Sequence, residues 1–183
     1  MKAPEYQRHY DLEKDYWWFV GLRKMVTNLL EKEMKNNKIG KMLDVGCGTG
    51  ALMDDMKDSA QELWGVDISE QAISFCKQRG HTNLIQVDAT EIPFSDNEFD
   101  TISAIGIIEH IDDDKGFVKE LARVTKVNGT LIIVSSSFQF LWSMHDIANE
   151  HIRRYYLRDL DRIMKDQGFK KIRSSNFNFF LFP

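Results

Sequence analysis

Residues 43–50 read LDVGCGTG, in which Gly46, Gly48 and Gly50 separate an apolar run from a helical stretch. Glycine permits positive φ and lets a ligand approach the main chain closely. The helix that follows such a loop offers unpaired N–H groups and a positive dipole end to a negative group. The spacing is GxGxG, not the GxGxxG of dinucleotide-binding turns. Cys47 lies inside the loop, and Asp44, just before it, can hold an ammonium group. Asp67 ends the next apolar run, in WGVDIS, where a carboxylate can accept both hydroxyls of a ribose. Asp88, in QVDATEIPF, can accept an exocyclic amine of adenine while the Ala89 N–H meets a ring nitrogen. Each aspartate alone serves equally well as a helix or turn cap. At three successive strand ends, and with the loop, they point to a nucleoside-bearing ligand.

A second constellation lies in SSSFQFLWSMHDIANEHIRRYYLRDL, which carries His145, Asp146, Glu150, His151, Arg153, Arg154, Tyr155 and Tyr156. His145 and His151 are spaced onto different helix faces, so a metal site lacks convergent ligands. Two neighbouring guanidiniums can clamp a carboxylate or phosphate through two-point contacts. They can equally pair with Asp159 or Glu150 on a solvated helix start. His110, in IIEHI, falls just past an apolar run and can take a proton or position a hydroxyl; the alternative is a structural pair with Glu109.

The elements that position these groups follow from periodicity. KMLDV, ELWGVDIS, NLIQVDA, EFDTISAIGIIEHI and TLIIVSS each contain a strand. SEQAISFCKQRG reads as a helix with Ser69 as N-cap and Gly80 as stop, and DKGFVKELARVTKVNG as a helix ending at Gly129. Alternation of strands and helices, with near-continuous apolar strands, predicts an α/β fold: a doubly wound, mostly parallel sheet with helices on both faces. Ligand then sits at the carboxyl ends of the strands, near the switch in strand order. Upstream, Trp18, Leu22, Met25, Val26, Leu29 and Leu30 recur at helical spacing, and this helix should end before Asn36. Residues 1–38 are thus read as an N-terminal helical cap and 39–183 as the ligand-binding domain. GFKKIRSSNFNFFLFP reads as the approach to an aromatic strand, and an exposed aromatic edge there would favour a homodimer.

The sequence resembles the class I S-adenosylmethionine-dependent methyltransferases through LDVGCGTG, WGVDIS, QVDATEIPF, FDTISAIGIIEHI and KELARVTKVNGTLIIV. The resemblance implies S-adenosylmethionine as cofactor and S-adenosylhomocysteine as product, with the sugar on Asp67 and the adenine on Asp88 and Ala89. It places the amino-acid end on the loop of Gly46, Cys47, Gly48 and Gly50. It also puts Ile68 against the adenine face and gives the Ala104 carbonyl a share of the ammonium. HIRRY (151–155) looks like the HxRRY element of one subset of these enzymes, and YWWFVGLRK (16–24) like its N-terminal WWF element. Leu22 replaces a usual arginine there, so only Arg23 carries over, and Tyr156 stands where a Ser or Thr cap is common. On this reading His110 and His151 are candidate catalytic groups. Trp18, Arg23, His145, Arg153, Arg154 and Tyr155 are candidates for the acceptor. The cofactor brings an electrophilic methyl, so no metal is required.

Composition narrows the classes. With 183 residues, 43% of them hydrophobic, the chain can bury a core without staples. A formal charge of -4 gives no global attraction to nucleic acid. No apolar run reaches the ~20 residues of a spanning helix. The start lacks a secretory apolar stretch, and Cys47 and Cys76 form no disulfide framework, so the expected location is cytoplasmic. The expected function is methyl transfer to a small acceptor that is partly apolar or anionic. A non-catalytic S-adenosylmethionine-binding module acting through a partner is the alternative, and the glycine spacing disfavours a nicotinamide oxidoreductase.

Overall fold

A computed structural model describes residues 3–33 and 38–176. Five strands form one sheet: β1 (Ile39–Val45), β2 (Ala60–Asp67), β3 (Leu84–Gln86), β4 (Phe99–Ile105) and β5 (Thr125–Val134), in the order β3-β2-β1-β4-β5. Every neighbouring pair is parallel. The order switches direction between β1 and β4, so the loops after those two strands splay apart and leave a crevice at their carboxyl ends.

Alternation along β1 sorts the two faces. Leu43 and Val45 pack with Val66, Ile102, Phe117, Val118 and Leu121 beneath α5 (Asp114–Val124) and α7 (Leu157–Asp166). Met42 points the other way, into a cluster with Val26, Leu30, Leu52 and Met56 from α2 (Trp17–Glu33) and α3 (Ala51–Met56). Below the glycine loop, Met53 packs on Ile73 and Cys76 of α4 (Glu70–Gln78). The sheet is therefore covered on both faces, as its apolar strands predict.

Local signals set several boundaries. Ser69 caps α4 by accepting from the Ala72 N–H, and Gly80, at φ 92°, ends it. The helix expected to run to Gly129 instead stops at Val124, and β5 starts at Thr125. The pair Val124–Thr125 favours extended backbone, and Thr125 pairs with Phe99 of β4. The following irregularity, with Asn128 at φ 66°, brings Thr130 opposite Thr101. The third strand is also shorter than its apolar run.

Upstream of β1, the helix expected through Trp18 and Leu30 is α2, and a further helix, α1 (Ala3–Leu12), precedes it. Tyr10 stacks on Phe75 of α4 at 4.7 Å, and Tyr6 is buried against Ala72 and Phe75. The aromatic strand expected at the carboxyl terminus falls largely on 177–183, outside the described residues. Among the described residues, no helix is long and apolar enough to cross a membrane.

Candidate functional site

The glycine loop turns from β1 into α3 with Gly46, Gly48 and Gly50 at φ 71°, 54° and 86°. A side chain at Gly46 would come 2.7 Å from Ile107 Cδ1, and one at Gly50 2.9 Å from Cys76 Sγ. At Gly48 a Cβ would meet nothing within 4 Å, because this glycine faces the open cleft. Two of the glycines thus serve packing, while the middle one keeps the main chain bare toward a ligand.

Asp67, at the end of β2, is buried, and it ties this loop to the next. Its Oδ2 accepts from the Gly48 N–H and its Oδ1 from the Ser69 N–H, both at 2.9 Å. Burial pushes its carboxyl above the usual range, against the pull of these amides. Asp44 accepts from Ser103 Oγ at 2.6 Å, and burial pushes it up to about 7. Both aspartates line the cleft with Cys47, Ile68, Asp88 and Ala89. Cys47 is buried, its Sγ 3.8 Å from that of Cys76. Ile68 is 66% exposed, an apolar surface at the mouth. Asp88 Oδ1 accepts from the Thr90 N–H at 2.9 Å and from its hydroxyl at 2.7 Å, which fixes the turn after β3.

Two cofactor candidates stand back from the cleft. Ala104 is fully buried in β4, and Ile105 and Gly106 form the wall beyond it. Gly50 faces Cys76 and Arg79.

The N-terminal helices close over this end. Glu13, after α1, accepts from Thr49 of the glycine loop and from Arg79 Nη2. The Tyr6 hydroxyl pairs with Ser69; burial and the neighbouring Asp67 charge push its pKa up. Neither residue carries a motif signal in the sequence. Trp18 lines the cleft at 38% exposure. Arg23, expected at the acceptor, instead donates to Asp55 of α3 at 2.7 Å and to the Glu13 carbonyl in the turn between α1 and α2 at 2.6 Å, because α2 packs on α3 and the turn folds back toward it.

Across the cleft, the segment after β5 folds as a clasp. Ser143 and Asp146 form a capping box at the start of α6 (Met144–Ala148). Arg154 grips Asp146 with Nε at 2.7 Å and Nη2 at 2.8 Å. Arg153 Nη1 and the Tyr155 hydroxyl both donate to Asp114 Oδ2, at 2.9 and 2.8 Å, and Arg153 Nη2 to the Asp112 carbonyl at 2.9 Å. Both guanidiniums expected to clamp an anionic acceptor are therefore engaged on the protein's own carboxylates. Their partners are Asp146 and Asp114, not Asp159 or Glu150. The capping spacing S-x-x-D (143–146) was the available signal for Asp146. Tyr156 begins α7 without a side-chain cap.

His110, His145 and His151 line the cleft on this side. The His110 and His151 rings meet edge to face at 4.8 Å. Glu109 Oε1 accepts from the Ser136 N–H and hydroxyl, both at 3.1 Å. Among the described residues, no group of three or more His, Cys, Asp or Glu side chains is arranged to hold a metal ion.

Residues 43–133 match the family described as a methyltransferase domain. The chain is 31% identical over 109 residues to the ubiquinone biosynthesis O-methyltransferase of Pelagibacter ubique, covering 57% of this chain and 44% of that one. It is 28% identical over 115 residues to the demethylmenaquinone methyltransferase of Renibacterium salmoninarum, covering 62% and 48%. The chain spans about half the length of these curated relatives. Among solved structures, a SAM-dependent methyltransferase from Archaeoglobus fulgidus superimposes with a TM-score of 0.67 and 26% identity, over 85% of this chain and 75% of that one.

Proposed function

This chain belongs to the class I S-adenosylmethionine-dependent methyltransferases, and we propose that it transfers the methyl group of that cofactor to a small acceptor bound in the same cleft. The observation that carries the reading is the buried Asp67 carboxylate joined to the Gly48 N–H. It sets an acceptor of two hydroxyls beside a bare glycine main chain.

The residues fit the cofactor. Asp44 is a buried carboxylate bonded to a neutral hydroxyl, and its raised pKa reflects an environment that an ammonium group would relieve. Asp67 would hold the ribose hydroxyls. Asp88 and Ala89 would meet the adenine edge, with Ile68 on its face. Cys47 and Gly48 would border the amino-acid end. When bound, the cofactor supplies a methyl made electrophilic by a sulfonium. The protein's task is then to orient an acceptor in line and keep water out. Tyr6 and Trp18 on the N-terminal helices cover the cofactor side.

The acceptor is proposed to be partly apolar. The exposed Ile68 and Trp18 at the mouth support this, as do relatives named for ubiquinone and menaquinone formation. Arg153 and Arg154, bound to carboxylates, argue against recognition of an anionic group by that pair. The test is a thermal-shift titration with S-adenosylmethionine and S-adenosylhomocysteine, followed by mass-spectrometric detection of S-adenosylhomocysteine release across an acceptor panel. Both ligands should raise the melting temperature by mass action. A folded protein unmoved by either at millimolar concentration would overturn the reading.

A further inference from the structure

Asp146 is wholly buried at the start of α6 and collects donors on both oxygens. Oδ1 accepts from Arg154 Nε at 2.7 Å and from His151 Nδ1 at 2.9 Å. Oδ2 accepts from Arg154 Nη2 and the Ser143 N–H, both at 2.8 Å. Burial opposes ionisation, but the Arg154, His151 and Ser143 hydrogen bonds outweigh it and hold this carboxyl well below the usual range. It is therefore an anion at neutral pH, able only to accept.

An acceptor-only partner at Nδ1 fixes the imidazole. The proton of neutral His151 must sit on Nδ1, and the lone pair is left on Nε2. The His151 side chain is 8% exposed and lines the cleft, so that lone pair is held among few competing waters. The surrounding groups single out this histidine. His110, edge-on at 4.8 Å, has its pKa pushed down by burial and by His151, and its Nδ1 lies 3.3 Å from the Glu150 carbonyl. His145 lies 6.2 Å away, beside the Asn149 amide. Of these three rings, His151 is the one whose nitrogen contacts a carboxylate. The Glu109 carboxylate completes the wall. Its Oε2 is buried with no hydrogen-bond partner among the described residues, and its main-chain carbonyl accepts from the Ile152 N–H at 2.9 Å. A buried carboxylate oxygen without a donor is rare in folded proteins and leaves this wall with an unused acceptor.

We infer that His151 is the general base of the transfer, that Asp146 is its positioning residue with Arg154 behind it, and that the acceptor is a hydroxyl compound. This rests on the methyltransferase reading above and names the acceptor class for the same site. The acceptor's O–H proton passes to His151 Nε2. The oxygen forms its new bond to the methyl carbon with the electron pair so released, and the S–CH3 bond breaks with its pair returning to sulfur. The products are a methyl ether, neutral S-adenosylhomocysteine and an imidazolium balanced by Asp146, which then loses its proton to water. Arg154 neutralises Asp146 enough to keep it a hydrogen-bond acceptor without its taking the proton itself.

The test uses the protein labelled with 15N-histidine and saturated with S-adenosylhomocysteine, read by long-range nitrogen–proton correlation spectra. His151 should appear, once neutral, as the Nδ1–H form. Titration with phenol should shift its Nε2 signal, and anisole, which lacks the hydroxyl, should not. Asp146→Asn should move the proton to Nε2, whereas His110→Gln should leave the tautomer of His151 unchanged. If Asp146→Asn does not fold, the wild-type tautomer and the phenol–anisole pair decide alone. A His151 in the Nε2–H form, or an Nε2 signal indifferent to phenol, would overturn the inference while leaving the methyltransferase reading intact. Failure to bind S-adenosylhomocysteine at all would overturn both.

Discussion

At the ends of β1 and β2, Asp44 and Asp67 are held by a serine hydroxyl and by backbone amides. Across the cleft, Asp146 and Asp114 are held by guanidinium groups, an imidazole and a phenol. The first pair is buried among neutral donors, and both carboxyls are pushed up. On the other rim, Asp146 has the Arg154 cation as a partner and is pushed down. The difference separates two uses of the same side chain. A buried carboxylate with only neutral donors retains capacity for a ligand, whereas one already paired with arginine fastens the chain to itself.

Breaking the clasp should have the largest effect. Asp146→Ala leaves Arg154 and His151 without their anion and should cost about 3–5 kcal/mol, the scale for breaking a buried pair. Urea unfolding would measure it, and a loss below about 1 kcal/mol would erase the contrast between the rims.

The pH dependence of the free protein sharpens the other side. The folded-state pKa of Asp44, about 7, lies above the ordinary 3.8. Between those values the unfolded chain binds fewer protons, so stability falls as pH rises from about 4 to about 7, by a few kcal/mol. Asp44→Asn should flatten this slope in thermal melts. Asp146 has the opposite sign: its contribution is present above the ordinary carboxylate range and is lost only in strong acid. On the proposal that the cofactor's ammonium group meets Asp44, which must then be ionised, S-adenosylhomocysteine should bind more tightly as pH rises through about 7.

Asp67→Ala should weaken S-adenosylhomocysteine binding by about 1–3 kcal/mol, since it removes the proposed partner of the ribose hydroxyls. Titration calorimetry reads this directly. The smallest effect belongs to Arg153→Lys. Its pair with Asp114 is one-third exposed on the arginine side, so stability should change by under about 1 kcal/mol and acceptor kinetics not at all. A raised acceptor KM in this variant would return Arg153 to the substrate.

The two rims also differ in how much of them the sequence carries. On the rim at the ends of β1 and β2 the chemistry is local. Gly46, Gly48 and Gly50 announce a positive-φ loop by residue type alone, and Asp67 follows from its place at the end of an apolar run. The clasp depends on tertiary pairing. Nothing in RRY states that Arg154 turns back to Asp146 while Arg153 and Tyr155 reach α5. The S-x-x-D spacing at 143–146 is a signal for the cap but not for its further partners. Likewise Gly129 reads as a helix stop, yet pairing of Thr125 with Phe99 ends α5 earlier. Tyr6 and Glu13 reach α4 and the glycine loop only because α1 packs on α4, a contact without a motif.

The central claim is that the neutral-donor rim binds the cofactor and the arginine-paired rim does not. It is tested most directly by calorimetric titration of S-adenosylhomocysteine at pH 8 into the wild type, Asp67→Ala and Arg153→Lys. The account predicts one site per chain in the wild type, unchanged affinity in Arg153→Lys, and affinity at least about fivefold weaker in Asp67→Ala. Equal binding by the wild type and Asp67→Ala, or no binding by the folded wild type at millimolar ligand, would contradict it.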